Sequence, residues 1–143
     1  MLAPDLTQAV EQDHRATDAL MRGDPEPKKR MFSRGEDVTL ANPVSLPVRG
    51  WNHIAETLDG VASQLRDGEP IGFDRVSEFA SGDMGYIVEI ERTRARIGDA
   101  DDLASFSLRV TTIYRREEEG WKIAHRHADA LMGPRPLESL QQS

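Results

Sequence analysis

Apolar residues recur at helical spacing through the first part of the chain, and after Gly68 and Pro70 they alternate with polar residues as strands do. The first periodic stretch can be capped by Asp5 or Thr7 and runs to about Arg22, where Gly23, Asp24 and Pro25 stop it. At about 100° per residue, Leu6, Ala9, Val10, Leu20 and Met21 share one stripe, which is the side to be buried. Asp13 and Thr17 fall in the middle of that stripe. A carboxylate buried without a partner is costly. Asp13 therefore either bonds a nearby Arg or backbone amide, or points into a pocket that the helix covers.

Pro25 to Phe32 reads as a second short helix, and Asp37 to Ala41 as a short strand ended by Asn42 and Pro43. Pro43 and Pro47 bracket a loop. After Gly50, Ile54, Leu58, Val61, Ala62 and Leu65 give a third helix from Trp51 to Arg66, which Gly68 and Pro70 end. Strands follow near Gly72 to Phe79, Met84 to Ile97, Ser105 to Arg116 and Trp121 to Asp129, joined by Gly- and Asp-containing turns, so an antiparallel meander is the simplest topology. The expected fold class is α+β, with helices segregated on one side of a curved antiparallel sheet. Residues 1–132 make one domain, and residues 133–143, with two prolines and a Gln-Gln-Ser end, are expected to be a loosely ordered tail.

Composition narrows the function classes. A chain of 143 residues typically buries about 70% of its extended surface on folding, enough for one core. A formal charge of −7 repels phosphate backbones and argues against nucleic acid as a partner. No cysteine is present, which excludes disulfides, thiolate metal sites and a cysteine nucleophile. The N-terminal residues lack the basic and apolar segments of a signal sequence, and no stretch approaches the roughly 20 apolar residues of a membrane span. A cytoplasmic protein without membrane contact is the expectation.

Candidate chemistry concentrates in the last hairpin. Alternation divides the third long strand into Phe106, Leu108, Val110, Thr112 and Tyr114 on one face and Ser107, Arg109, Thr111, Ile113 and Arg115 on the other. The last strand divides into Trp121, Ile123, His125, His127 and Asp129 against Lys122, Ala124, Arg126 and Ala128. With an unbulged four-residue loop from Glu117 to Gly120, Thr111 comes opposite Arg126 and Arg109 opposite Ala128. Arg109, Thr111 and Arg126 then share a face, and the two histidines take the other. A one-residue bulge reverses this. In the strand Met84 to Ile97, Tyr86, Val88 and Ile90 oppose Ile87, Glu89, Glu91 and Thr93, which makes Glu91 a partner for Arg109 or Arg126. These three form either a structural ion network or a ligand site, since a guanidinium takes a ligand carboxylate in a bidentate way. His125 and His127 can supply a general base or sit in an interface; two histidines alone are a weak metal signal, and no metal site is expected. The apolar strand faces need cover from the helices or from a second subunit, and a back-to-back dimer through the sheet follows if the polar face turns inward.

Leu108 to Thr111, Tyr114 to Arg116, Gly120 to Ile123 and His125 to Asp129 resemble the C-terminal hairpin of SnoaL-like proteins of the nuclear transport factor 2-like superfamily. Gly23 to Pro25, Asp37 to Leu40 and Arg49 to Trp51 extend the likeness over about Leu6 to Asp129. The resemblance implies a cone-shaped α+β barrel with one pocket, usually a homodimer, in a superfamily that includes ketosteroid isomerase, scytalone dehydratase, polyketide cyclases and a kinase association domain. It implies Asp13, His127 or Asp129 as catalytic proton carriers beside a carbonyl and favours Arg109 and Arg126 as binders; Trp51, Glu91 and Thr111 are expected to bind the ligand with them. The isomerase pairing of a Tyr and a protonated Asp is not clearly reproduced, because Tyr86 and Tyr114 lie on the apolar strand faces. The functional expectation is a small-molecule pocket, with isomerase, cyclase or dehydratase chemistry and no cofactor. The alternative is a non-catalytic ligand-binding or dimeric assembly module.

Overall fold

Pro4, whose ring presets a helical φ, and Asp5, whose carboxylate favours the positive end of the helix dipole, start the first helix of the computed structural model, which describes residues 2–142. This helix, α1 (Pro4–Met21), begins at Ala3 without a side-chain cap, so Asp5 lies in its first turn instead of capping it. Its end is a Schellman turn. Gly23 takes φ 94°, Asp24 N–H donates to Ala19 O at 3.0 Å and Gly23 N–H to Leu20 O at 2.9 Å. Then follow α2 (Glu26–Met31), β1 (Thr39–Ala41), β2 (Val48–Arg49), α3 (Trp51–Ala62), β3 (Leu65–Ser81), β4 (Met84–Ile97), β5 (Ala104–Glu117), β6 (Gly120–Ala130) and a solvent-exposed 3-10 turn at Leu137–Leu140.

One sheet in the order β2-β1-β6-β5-β4-β3 curves around the three helices. Strands β3 to β6 form the expected antiparallel meander, but β1 joins β6 in parallel and β2 joins β1 antiparallel, so the sheet is mixed. The helices cover its concave face, and Leu6, Val10, Phe32, Val38, Ile54, Ile87, Tyr114 and Ile123 pack between. The result is an α+β cone. Among the described residues no helix is long and apolar enough to cross a membrane.

Two boundaries differ from the sequence pattern. The third helix stops at Ala62, and Leu65 already belongs to β3, which runs through Gly68 and Pro70 to Ser81. Register shifts at Arg66/Glu69, Pro70/Gly72 and Arg75/Ser77 absorb these residues, and β3 is an edge strand, where a proline costs no ladder bond.

The register of the last hairpin decides which side chains face the interior. Near the turn Arg116 pairs with Trp121 and Tyr114 with Ile123, as an unbulged loop requires. A bulge then takes up Ala124, so that Ile113 pairs with His125, Thr112 with Arg126, Thr111 with His127 and Arg109 with Asp129. The inward set on β6 thereby changes from Trp121 and Ile123 to Arg126 and Ala128. This overturns the unbulged register: Arg109 and Thr111 do not share a face with Arg126, but lie on the convex face with His125, His127 and Asp129.

Candidate functional site on the concave face

Five elements send polar or charged groups into the space between helices and sheet. Asp13, on the third turn of α1, is 3% exposed, and Lys28, from the six-residue α2, is 1% exposed. Lys28 Nζ donates to Asp13 Oδ1 at 2.5 Å and to Thr17 Oγ1 at 2.8 Å. Tyr114 Oη, from β5, donates to Asp13 Oδ2 at 2.7 Å. Asp13 thus has the partner its place in the apolar stripe demanded, but that partner is a lysine and a tyrosine, neither an arginine nor a backbone amide.

Beside this cluster, Arg126 on β6 grips Glu91 on β4 with two bonds, at 2.9 and 3.0 Å. Glu89, two residues back on the same face, lies 2.8 Å from His14 Nε2 and 3.3 Å from Arg75 Nε. The His14 ring stacks flat on Phe73, centroids 3.7 Å apart. Two residues beyond Glu91, the Thr93 hydroxyl is buried without a hydrogen-bond partner among the described residues.

Electrostatics fix the charge state of these groups. Burial pushes the Asp13 carboxyl up, but the Lys28 ammonium, with help from Arg126 and Tyr114, outweighs it and holds Asp13 below its ordinary value. Glu91 is likewise held below its ordinary value, burial being overcome chiefly by Arg126. Tyr114 is pushed well above the usual phenol range by burial and by the Asp13 carboxylate. Both carboxylates are therefore ionised at neutral pH and the phenol is a donor, so Tyr114 and Asp13 meet without forming a Tyr and protonated Asp pair. Half-buried Asp18, one turn after His14 on α1, is raised, burial outweighing Arg22 and His14.

Of the residues expected to act together, Asp13, Glu91 and Arg126 gather on the concave face. Arg109, Thr111, His127 and Asp129 gather on the convex face, where with Val88 and Val110 they line a hollow of about 220 Å³. There Arg109 binds Asp129 through two bonds of 2.7 and 2.8 Å while remaining 64% exposed. His125 accepts or donates a 2.6 Å bond with Thr39 Oγ1, and burial, then His127, lowers its pKa. Trp51 lies apart from both groups, at the start of α3 under the Arg34 guanidinium, 4.0 Å from the ring centroid. Among the described residues no three His, Asp or Glu side chains are grouped to hold a metal.

Lys28, Tyr114, Glu89, His14 and Thr93 are members that the sequence pattern did not single out. One signal for Lys28 was present: in a short helix it shares a face with Met31, three residues on, which is buried.

A model of the SnoaL-like domain matches residues 11–132. No curated protein matches the chain. Among solved structures, a proposed calcium/calmodulin-dependent protein kinase type II association domain from Thiobacillus denitrificans is 20% identical with a TM-score of 0.71, covering 92% of this chain and 99% of its own. A proposed dehydratase of the NTF2-like family from Streptomyces avermitilis is 17% identical, TM-score 0.74, over 90% of this chain and 96% of its own. A ketosteroid isomerase-like protein from Erwinia carotovora atroseptica is 14% identical, TM-score 0.74, over 91% and 95%. Likeness at these identities shows the fold alone.

Proposed function

For a chain that belongs to the SnoaL-like family, within the nuclear transport factor 2-like superfamily, we propose a small-molecule pocket that takes a small acid or carbonyl compound on the concave face of the sheet. The observation that carries this reading is the ionic lining of that face. A scaffold needs only apolar filling between helices and sheet, and replacing a buried ion pair by apolar packing is often neutral or stabilising. Asp13, Lys28, Glu89, Glu91 and Arg126 lie there nonetheless, beside a Thr93 hydroxyl with no partner among the described residues. Desolvated charge pairs in a concave site are a mark of function. Arg126 supplies the cation for a ligand carboxylate or a polarised carbonyl, and Thr93 supplies a further hydrogen bond.

A thermal-shift screen over small acids and ketones tests this. Arg126→Ala is expected to abolish the shift given by acids, Glu91→Gln to strengthen it by freeing the guanidinium, and Arg109→Ala, on the opposite face, to leave it unchanged. Hits that bind Arg126→Ala as well as wild type would remove the site.

A second reading, a non-catalytic ligand-binding or assembly module, is favoured by the closure of the ion pairs: Asp13 and Glu91 already have partners within the chain. Turnover of any bound ketone or acid separates the two. In either case the proposal includes a homodimer through the convex face. Tyr86, Val88, Ile90 and Ile113 point outward there, and Phe79 at 57% exposure adds to the apolar area.

A further inference from the structure

We propose that a hollow between the end of α2 and the β5–β6 hairpin turn is a binding site for a small phosphate monoester, separate from the concave face.

Backbone geometry places the groups. The helix α2 ends at Met31, and Phe32 turns the chain extended, at φ −80° and ψ 143°. Phe32 then bridges Ile123 in parallel and Ser33 N–H donates to Ile123 O at 2.9 Å, so the segment runs beside β6. Arg30, Phe32 and Arg34 come from this segment and Lys122 from β6. With Glu117 and Glu119 of the hairpin they line a hollow of about 330 Å³, at the lower end of the range for small-molecule sites.

The lining has more positive charge than its own acids answer. In a chain with 25 Asp and Glu against 18 Lys and Arg, Arg30, Arg34 and Lys122 make no ion pair among the described residues. Two of the three are nonetheless held, by contacts that leave their charge uncancelled. The Arg34 guanidinium lies over the Trp51 ring, 4.0 Å from its centroid, which keeps its N–H edges for a ligand. Lys122 Nζ donates to the Arg30 carbonyl at 2.9 Å and has two further N–H bonds to give.

Glu117 is already engaged. One of its oxygens accepts from Ser33 Oγ at 2.7 Å and from Arg115 Nε at 3.1 Å, and Arg115 also grips Asp37 through bonds of 2.8 and 3.1 Å. Ser33 is 1% exposed, so this network forms a fixed wall. Glu119, exposed in the turn, opposes an anion, and one acid does not balance three cations. Gathered like charges repel, and a bound anion relieves that repulsion.

A phosphate monoester suits this set. It carries a charge of about −1.5 to −2 at neutral pH and three acceptor oxygens, enough to engage two guanidinium forks and an ammonium. A carboxylate has one charge and two oxygens. The hollow holds roughly ten waters' share of volume, which leaves room beyond the phosphate group for the esterified part, with Phe32 as its apolar contact.

Calorimetric titration of the wild-type protein with phenyl phosphate and glycerol 3-phosphate tests the site, with inorganic phosphate and glycerol as comparisons. The monoesters are expected to bind, inorganic phosphate more weakly, and glycerol not measurably. Arg30→Ala and Arg34→Ala should each weaken monoester binding about tenfold or more, as loss of charge-assisted bonds requires. Arg34→Lys, which keeps the charge but not the fork, should lose nearly as much. Glu119→Gln should tighten binding about twofold by removing the opposing charge. Arg94→Ala removes the same charge from an exposed position on β4 and should change nothing. Monoester binding should also change the tryptophan fluorescence, and Trp51→Phe should abolish that signal while calorimetric binding persists. Failure of both monoesters to bind at millimolar concentration overturns the proposal, as do losses in Arg30→Ala and Arg34→Ala no greater than in Arg94→Ala. Inorganic phosphate binding as tightly as the monoesters overturns the ligand class. An acid that binds the concave face should bind together with phenyl phosphate, and competition between the two would overturn the separateness of the site. The concave pocket stands or falls by its own screen.

Discussion

Replacing Lys28 by Met keeps most of the buried stem and removes only the ammonium, leaving the Asp13 carboxylate in a closed interior. The cost has an upper bound that the structure and the ordinary carboxyl pKa set together. Asp13 can always escape its unpaired charge by taking a proton, and at pH 7 that costs about 1.4 kcal/mol for each of the roughly 3 units above 3.8, or about 4 kcal/mol. The Tyr114 hydrogen bond and the nearby Arg126 charge remain and soften the loss, so a destabilisation of about 3–4 kcal/mol is expected, within the range for breaking one partner of a buried pair. At roughly 3–4 °C per kcal/mol for a chain of this size, the melting midpoint falls by about 10–15 °C. The sign of the pH dependence follows from Asp13. In wild type its folded pKa is depressed, so its contribution is fully present above the ordinary value of 3.8 and is lost only as pH falls from there through the lower folded pKa. In Lys28→Met the escape by protonation costs only about 1.6 kcal/mol at pH 5, so the gap between variant and wild type closes by about 2 kcal/mol between pH 7 and pH 5. Urea denaturation of both proteins at the two pH values measures this, and Lys28→Met with Asp13→Asn should recover most of the loss. A cost below about 1 kcal/mol, or a gap that does not move with pH, would refute the account of Asp13 as a buried, ionised partner of Lys28.

Gly68→Ala would set a Cβ 2.5 Å from Met21 Cβ and 2.6 Å from that residue's carbonyl carbon and oxygen, so the α1–β3 junction must move, at about 1–3 kcal/mol by urea denaturation; an unchanged midpoint would place the end of α1 elsewhere. Asp18→Asn is expected to raise the melting temperature at pH 7. The folded pKa of Asp18 is raised, so its ionisation opposes folding as pH rises; the advantage of the amide should vanish below the ordinary carboxyl value, and an Asn variant no more stable at pH 7 contradicts this. Val88→Asp, on the convex face, should convert a sedimenting species of twice 16.0 kDa into a monomer without loss of fold, and a wild type that is monomeric throughout removes the dimer.

How much of this was legible in the sequence can be judged strand by strand. Met84 to Ile97 was read correctly as an element and in its two faces, because strict alternation from Gly85 to Ala95 carries no irregularity and Glu89 and Glu91 keep company with Ile87. The start of β3 was not legible. Gly68 and Pro70 are helix stops by local rule, and only their place on an edge strand, a property of the whole sheet, lets the chain run extended through them. The parallel pairing of Thr39 to Ala41 with His125 to His127 joins segments more than 80 residues apart, and a three-residue strand carries no signal of its partner.

The site turned on one residue. Ala124 occupies the bulge in β6, and no glycine or proline marks it, so the sequence could state that a bulge would exchange the faces but not that there is one. The consequence differs on the two sides of the hairpin. Trp121 and Ile123 fill the core where β6 meets Phe32 and Tyr114, and Arg126 must still turn inward to reach Glu91. Odd and even positions of one regular strand cannot both point inward, and inserting one unpaired residue between them resolves the conflict. The bulge thus places a guanidinium beside the buried carboxylates without giving up the apolar packing at the turn, and it sends His125 and His127 outward. The alternation of the last strand made those histidines conspicuous. The histidine that reaches the concave face is His14, on a helix whose visible pattern was its apolar stripe, and only the three-dimensional meeting of α1 with β3 and β4 sets it against Phe73 and Glu89.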